Sequence, residues 1–139
     1  MKTSPPFRSG LEERLSDELT SSKIGFDYEP SDRKIPYVIP ASNHTYLPDF
    51  YIRTRGTGKE IIIEAKGIWV YEDRYKHLLI KRANPHLDIR FVFSNANSKI
   101  RKGSKTTYAD ICNGKGTGMF KGVTWPYSNK TLNKDWFDE

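Results

Sequence analysis

Pro48-Asp-Phe-Tyr-Ile-Arg53, Thr54-Arg-Gly-Thr-Gly-Lys59 and Glu60-Ile-Ile-Ile-Glu-Ala-Lys-Gly67 follow one another without a break. Two apolar runs flank a loop carrying Gly56 and Gly58, the pattern of a β-hairpin with a longer connection. If Arg53 and Glu60 are the last paired residues, Ile52 faces Ile61, Phe50 faces Ile63, and Asp49 stands opposite Glu64. Side chains alternate along a strand, so Glu64 and Lys66 share the face that carries Asp49. Directly opposed Cβ atoms lie about 4.5–5.5 Å apart, and two like charges at that distance weaken a sheet unless a cation lies between them.

The rest of the chain reads as one domain. Its 139 residues are 36% hydrophobic and 13% aromatic, enough to bury a core. No apolar run approaches the roughly 20 residues of a membrane span, and Met1 to Gly10 has no apolar secretory segment. Cys112 is the single cysteine, which excludes an internal disulfide framework and a cysteine-based zinc cluster. These features predict a cytoplasmic protein with no membrane association. A net charge of +6 favours a polyanionic partner, most simply nucleic acid, although basic proteins with other partners are common.

Upstream, Met1 to Pro6 is a polar lead in which Lys2 can touch phosphate, as can Arg8 just after it. Ser9-Gly-Leu-Glu12 has the spacing of a capping box, with Ser9 as N-cap and Glu12 reaching back to its backbone. It opens a helix to about Ser22, with Leu11, Leu15 and Leu19 on one stripe. Phe26 to Glu29 reads as a half-exposed strand whose wet face carries Asp27 and Glu29. Ile35 to Pro40 is extended, but Pro36 and Pro40 keep it from being a central strand, and it suits an arm crossing to another subunit. Ala41 to Leu47, with His44, reads as a polar loop.

Downstream, a helix over Glu72 to Ala83 turns Tyr75, Leu78 and Leu79 inward and Lys76, Lys81 and Arg82 outward, and Asn84-Pro85 stops it. Asp88 to Ser94 alternates as a strand around Ile89, Phe91 and Phe93. Asn95 to Lys105 is a basic loop (Lys99, Arg101, Lys102, Lys105) suited to a nucleic-acid backbone. Thr107 to Asn113 predicts a short helix closed by Gly114. Beyond it, glycines leave Val123 to Tyr127 as surface packing and Asn133 to Phe137 as one last turn.

An aspartate, a hairpin and then Glu-x-Lys is the spacing used in metal-dependent phosphodiester cleavage. Hard oxygen ligands suit Mg²⁺ or Mn²⁺, which retain waters and accept phosphate oxygens. Lys66 would orient a water or neutralise charge building on phosphorus. The same residues also read as a solvated hairpin face with a Lys–Glu pair, and spacing alone does not choose between the two. Glu12 likewise reads as a cap, His44 as a loop hydrogen-bonder, the helix lysines as a solvated face, and Trp69, Trp125 and Trp136 as core.

Longer blocks carry more information. Phe7-Arg-Ser-Gly-Leu-Glu12, Ile35-Pro-Tyr-Val-Ile-Pro-Ala-Ser-Asn-His-Thr-Tyr46, Pro48-Asp-Phe50, Glu64-Ala-Lys-Gly67 and Lys76-His-Leu-Leu-Ile80 resemble bacteriophage endonuclease I. That family comprises Holliday-junction resolvases of the restriction-endonuclease-like superfamily, and the resemblance runs from Phe7 to Tyr108. It implies an α/β fold, a mixed sheet flanked by helices, in an intertwined, domain-swapped homodimer. Segment 7–34 would be exchanged, 35–47 would bridge, 48–112 would form the catalytic core, and 113–139 would be a tail without assigned role. Glu12 would join Asp49, Glu64 and Lys66 in trans, with the Ala65 carbonyl as a further ligand to about two Mg²⁺ (or Mn²⁺) ions per site. The substrate implied is branched DNA, held at Arg8, Ser9, Lys76 and the 99–105 loop. Asp27 stands where the family has a further glutamate and, with His44, is a candidate accessory residue. Loops 30–34 and 53–59 are slightly longer here, and the segment from Asn113 onward does not carry the resemblance. A nuclease for linear duplex and a non-catalytic architectural protein on the same fold are the alternatives.

Overall fold

The structure, a computed structural model, describes residues 7–39 and 42–139. The positions of Lys2, Pro40 and Ala41 lie outside the described residues. Helix α1 (Gly10–Ser21) starts at Ser9, whose hydroxyl accepts from the Glu12 N–H at 3.1 Å. Leu15 and Leu19 are fully buried and Leu11 nearly so, as their four-residue spacing predicts. Strand β1 (Phe26–Tyr28) follows, then a two-stranded ribbon of β2 (Ile35–Ile39) and β3 (Ser42–Tyr46).

The ribbon corrects the expectation of a polar loop after Ala41. Residues 42–46 pair antiparallel with 35–39, which supplies the backbone partners that a proline-containing strand lacks in a larger sheet. Ile35, Tyr37 and Tyr46 bury themselves in a cluster with Tyr51, Ile62, Ile80 and Ile89, and Asn84 Nδ2 donates to the Pro36 carbonyl at 3.1 Å. The stretch expected to cross to another subunit therefore closes, in this single chain, on its own helix.

β4 (Phe50–Arg53) and β5 (Glu60–Lys66) form the hairpin in the expected register, Phe50 opposite Ile63, Ile52 opposite Ile61 and Arg53 opposite Glu60. Helix α2 (Tyr71–Ala83) crosses over to β6 (Ile89–Phe93), parallel to β5. After α3 (Tyr108–Cys112), β7 (Asn113–Lys115) pairs with β8 (Lys121–Thr124), and β9 (Tyr127–Asn129) adds to the main sheet parallel to β6. The five-stranded order is β1-β4-β5-β6-β9. The main sheet is mixed, with antiparallel pairing at one end and parallel at the other.

Period-two alternation splits the hairpin between two cores. Phe50, Ile52, Ile61 and Ile63 meet the leucines of α1, whereas Ile62 meets Ile80 of α2. β6 is buried on both faces, Val92 toward α1 and Phe91 and Phe93 toward Trp69, Tyr108 and Trp125. The segment after Asn113 is part of this architecture and not surface packing. Trp125 is 2% exposed, and Leu132, Trp136 and Phe137 complete the core over α1. The final turn also locks the β4–β5 loop: Arg55 and Thr57 N–H groups donate to the carbonyls of Phe137 and Glu139. Gly56 passes so close that a Cβ there would meet the Glu139 carbonyl oxygen at 2.5 Å, which only glycine tolerates.

Candidate active site

Extending the two antiparallel registers by one step places Glu29 beside Asp49 and Asp49 beside Glu64, one acidic residue on each of three adjacent chain segments. The backbone confirms the alignment, since Glu29 N–H donates to the Asp49 carbonyl at 3.0 Å. Asp49 Oδ2 accepts from Ala65 N–H at 2.9 Å, and Glu64 Oε2 accepts from Asp49 N–H at 2.7 Å. Each carboxylate is thus oriented by its neighbour's backbone.

Glu12 reaches this row from α1. Carboxylate oxygens of Glu12, Glu29 and Asp49 all lie within 4.8 Å of one another. The capping-box expectation is half right: Ser9 caps the helix, but the Glu12 carboxylate does not fold back to the Ser9 N–H. It accepts instead from the hydroxyls of Tyr28 and, at 3.4 Å, Ser9. Tyr28 is fixed by packing edge-on to Phe7 (4.5 Å) and tilted against Phe50 (5.3 Å), and it accepts from Arg8 N–H. Arg8 in turn pairs its Nε with Glu29 Oε1 at 2.6 Å.

Asp27 is not in the cluster. It is exposed and faces Arg33 at 3.5 Å, and both line a cleft of about 530 Å³ with Tyr51, Arg53 and Glu60. Glu29, and not Asp27, stands beside Asp49 because it is the next residue in the β1–β4 register, and its φ of 42° lies in the left-handed region at the end of β1.

Lys66 is bound from α2. Its Nζ lies 2.7 Å from Asp73 Oδ2 and 3.6 Å from Glu64 Oε1. Burial opposes its charge, but Glu64, Asp73 and Asp49 outweigh this and raise its pKa. His77, one turn after Asp73 and 1% exposed, places Nε2 3.5 Å from Glu64 Oε1. Burial lowers its pKa despite the carboxylates. Burial and then the charge of Glu64 drive the Asp49 carboxyl far above the usual carboxylate range. Burial also works to raise Glu64, but Lys66, His77 and the Asp49 N–H hold it low. The free site thus keeps Glu64 ionised and makes a second charge at Asp49 costly.

The proposed DNA contacts fall into three groups. Arg8 and Ser9 are at the site itself and engaged with Glu29 and Glu12. Lys76 lies with Nζ 5.4 Å from the Tyr46 ring, and His44 stacks on Tyr37 at 5.4 Å. Lys99, Arg101, Lys102 and Lys105 are exposed on a loop that leaves β6 beside Lys66, where Ser94 N–H donates to the Lys66 carbonyl at 2.9 Å. The loop and the carboxylate row therefore share the carboxyl-terminal end of the parallel strands, where open α/β sheets bind ligands.

The donors are all hard oxygens. Five carboxylates (Glu12, Glu29, Asp49, Glu64, Asp73) gather around two cations, Arg8 and Lys66, within a chain of net charge +6. This set fits a divalent ion such as Mg²⁺ or Mn²⁺.

Relatives match most of this chain. The phage endonuclease I family matches residues 1–139, so the likeness extends through the segment after Asn113. Endonuclease I of Escherichia phage T7 is 44% identical over 133 residues, covering 96% of this chain and 79% of that protein. Endodeoxyribonuclease 1 of Enterobacteria phage T3 is 52% identical over 106 residues, covering 76% of this chain and 65% of that protein. By these matches the chain is an endonuclease. It belongs to the phage endonuclease I family.

Proposed function

We propose that the protein is a metal-dependent, structure-selective DNA endonuclease that resolves four-way junctions and other branched DNA by paired nicks. Each nick leaves a 5′-phosphate and a 3′-hydroxyl, and the enzyme acts in the cytoplasm. The observation that carries this reading is the excess of carboxylates in the Glu29–Asp49–Glu64 row, joined by Glu12 at Asp49 and faced by Lys66 at Glu64.

Glu12, Asp49, Glu64 and the Ala65 carbonyl, with Glu29 added, would hold about two Mg²⁺ or Mn²⁺ ions, which supply Lewis-acid activation of the phosphate and of water. The protein's own groups do the positioning. Tyr28 and Ser9 keep Glu12 aimed at Asp49, and Ala65 N–H fixes the Asp49 rotamer. Asp73 holds Lys66 so that its ammonium faces the carboxylate row, where it offsets charge developing on the phosphate oxygens. Exposed cations on the 99–105 loop track backbone phosphates, giving selection by shape and not by base sequence.

Two sites at fixed separation explain paired cutting, and a homodimer supplies them. Opening the β2–β3 ribbon would let segment 7–34 dock on a second copy. Arg8, Glu12, Tyr28 and Glu29 contact one another within that segment, so they would travel as a unit to the other copy's Asp49.

The test is cleavage of a labelled four-way junction beside its linear arms in Mg²⁺, Ca²⁺ or EDTA. Paired nicks confined to the junction in Mg²⁺ are expected. Equal cutting of linear duplex would discard junction selectivity, and tight binding without cutting in Mg²⁺ or Mn²⁺ would make the protein architectural.

A further inference from the structure

Among the described residues, the large apolar side chains standing in water are Ile68, Val70, Tyr71 and Met119, exposed by 78%, 49%, 52% and 43%. Single exposed apolar residues need no explanation, but a contiguous group marks an interaction site. Ile68 and Val70 lie in the connection directly after Lys66 and Gly67, and Tyr71 opens α2. Met119 precedes Phe120, whose ring stands edge-on to Tyr71 at 6.1 Å. Tyr71, Met119 and Arg101 line one cleft of about 270 Å³.

The platform beneath these tips is rigid. Trp69, in the same connection, is fully buried, its backbone N–H donates to the Tyr108 hydroxyl at 3.1 Å, and its carbonyl accepts from Arg74 Nη1 at 2.5 Å. Tyr71 lies parallel to Tyr75 with 6° between the planes. The apolar tips are held out by well-packed elements and do not dangle from a loose loop.

Charge identifies the occupant. Arg101 is in the cleft wall, and Lys99, Lys102 and Lys105 stand exposed on the same loop. An apolar centre with a cationic rim, next to a candidate nuclease site, complements DNA whose base faces are uncovered. An intact duplex hides those faces in its stack and offers phosphates alone. Aliphatic wedges and aromatic ledges are the usual protein partners of unstacked bases.

We propose that the surface of Ile68, Val70, Tyr71 and Met119 receives unstacked nucleobases of the bound DNA, with Arg101 on the neighbouring phosphate. This rests on the reading of the protein as an endonuclease for branched DNA, and it names how that substrate would be distinguished.

The experiment places 2-aminopurine at the branch point of a four-way junction, in a three-nucleotide gap within a duplex, and in intact duplex. Binding and fluorescence are measured in Ca²⁺ for the wild-type protein and for I68S/Y71S. The wild type is expected to change the fluorescence of the gapped and junction probes and to prefer gapped over intact duplex. In I68S/Y71S that preference falls about tenfold, corresponding to the loss of one stacked base, and the fluorescence change disappears. Y71F, which keeps the ring, retains both. Thermal melting checks the fold, and the single substitution I68S stands in if the double variant does not fold. A preference unchanged within twofold, or a wild type without preference for gapped DNA, overturns the proposal. So does a patch substitution that dissociates a dimer in sedimentation velocity, since a second copy would then be the occupant. Equal treatment of junction and duplex arms by the wild type would sink junction selectivity while the gapped probe still decides the surface.

Discussion

The two ends of the central strands hold charged clusters of opposite character. At one end Arg90, buried in β6, donates to Asp88 and to both oxygens of Glu139, and Lys59 lies 2.8 Å from the same glutamate. Two positive charges meet two negative ones and nearly every donor is used. At the other end five carboxylates share Arg8 and Lys66. The balanced cluster ties the last turn to the sheet, and the unbalanced one stores unfavourable charge in a buried place. Carboxylates are common to both, so their presence marks nothing. The missing counter-charge distinguishes a site from a strut.

Breaking the unbalanced end should cost activity and spare the fold. D49A is expected to lower metal-dependent nicking at least about a hundredfold, measured as single-turnover cleavage, with the melting temperature unchanged or raised. Breaking the balanced end should do the reverse. R90A strands Asp88 and Glu139 beside a buried gap and should cost about 2–3 kcal/mol in urea unfolding, below the range for fully buried pairs because both carboxylates are partly exposed. Its cleavage rate per folded molecule should stay within about threefold of wild type; a loss as deep as that of D49A would mean that the clusters are coupled.

The pH dependence sharpens the contrast. Asp49 has a folded pKa raised above its unfolded value, so its contribution to stability is full at acidic pH and is lost as pH rises through the folded value. Glu139 and Asp88 have depressed folded values, so theirs is full above the unfolded carboxylate range and lost as pH falls. In EDTA, D49N should therefore melt higher than wild type at pH 8 by about 1 kcal/mol equivalent, with the gap closing toward pH 4. A gap independent of pH would refute the burial of that charge. The smallest effect concerns aim: Y28F should reduce kcat about three- to tenfold with KM unchanged, because Glu12 loses a hydroxyl partner but not its place.

What could be seen in the sequence was local. The β4–β5 register rests on taking Arg53 and Glu60 as the last paired residues around the Gly56 and Gly58 loop, and that register alone brings Asp49 to Glu64. The α1 stripe and the Ser9 cap depend on neighbours within one turn. Glu29 was hidden because it requires the β1–β4 pairing, set by residues more distant in sequence, and a left-handed backbone at a non-glycine residue. Arg74 and His77 are given no side by the apolar stripe of α2, yet both are buried, Arg74 donating to the Trp69 carbonyl and His77 standing against Glu64, contacts that no helical periodicity reveals. Strand β3 looked like a loop because its polar residues pair with a strand interrupted by proline.

The way α1 is roofed also dictates when a newly made chain can finish folding. Arg14 donates to the Lys130 carbonyl, Glu18 accepts from Leu132 N–H, and Trp136 and Phe137 seal the leucines of the same helix. The helix is thus covered by residues 114 and 116 positions later in the chain. Until those residues emerge, the helix carrying Glu12 has no roof to hold it beside Asp49. A nascent chain that has not yet exposed residues 130–137 would lack the docked helix, and its ability to cut nucleic acid would arrive only with that segment.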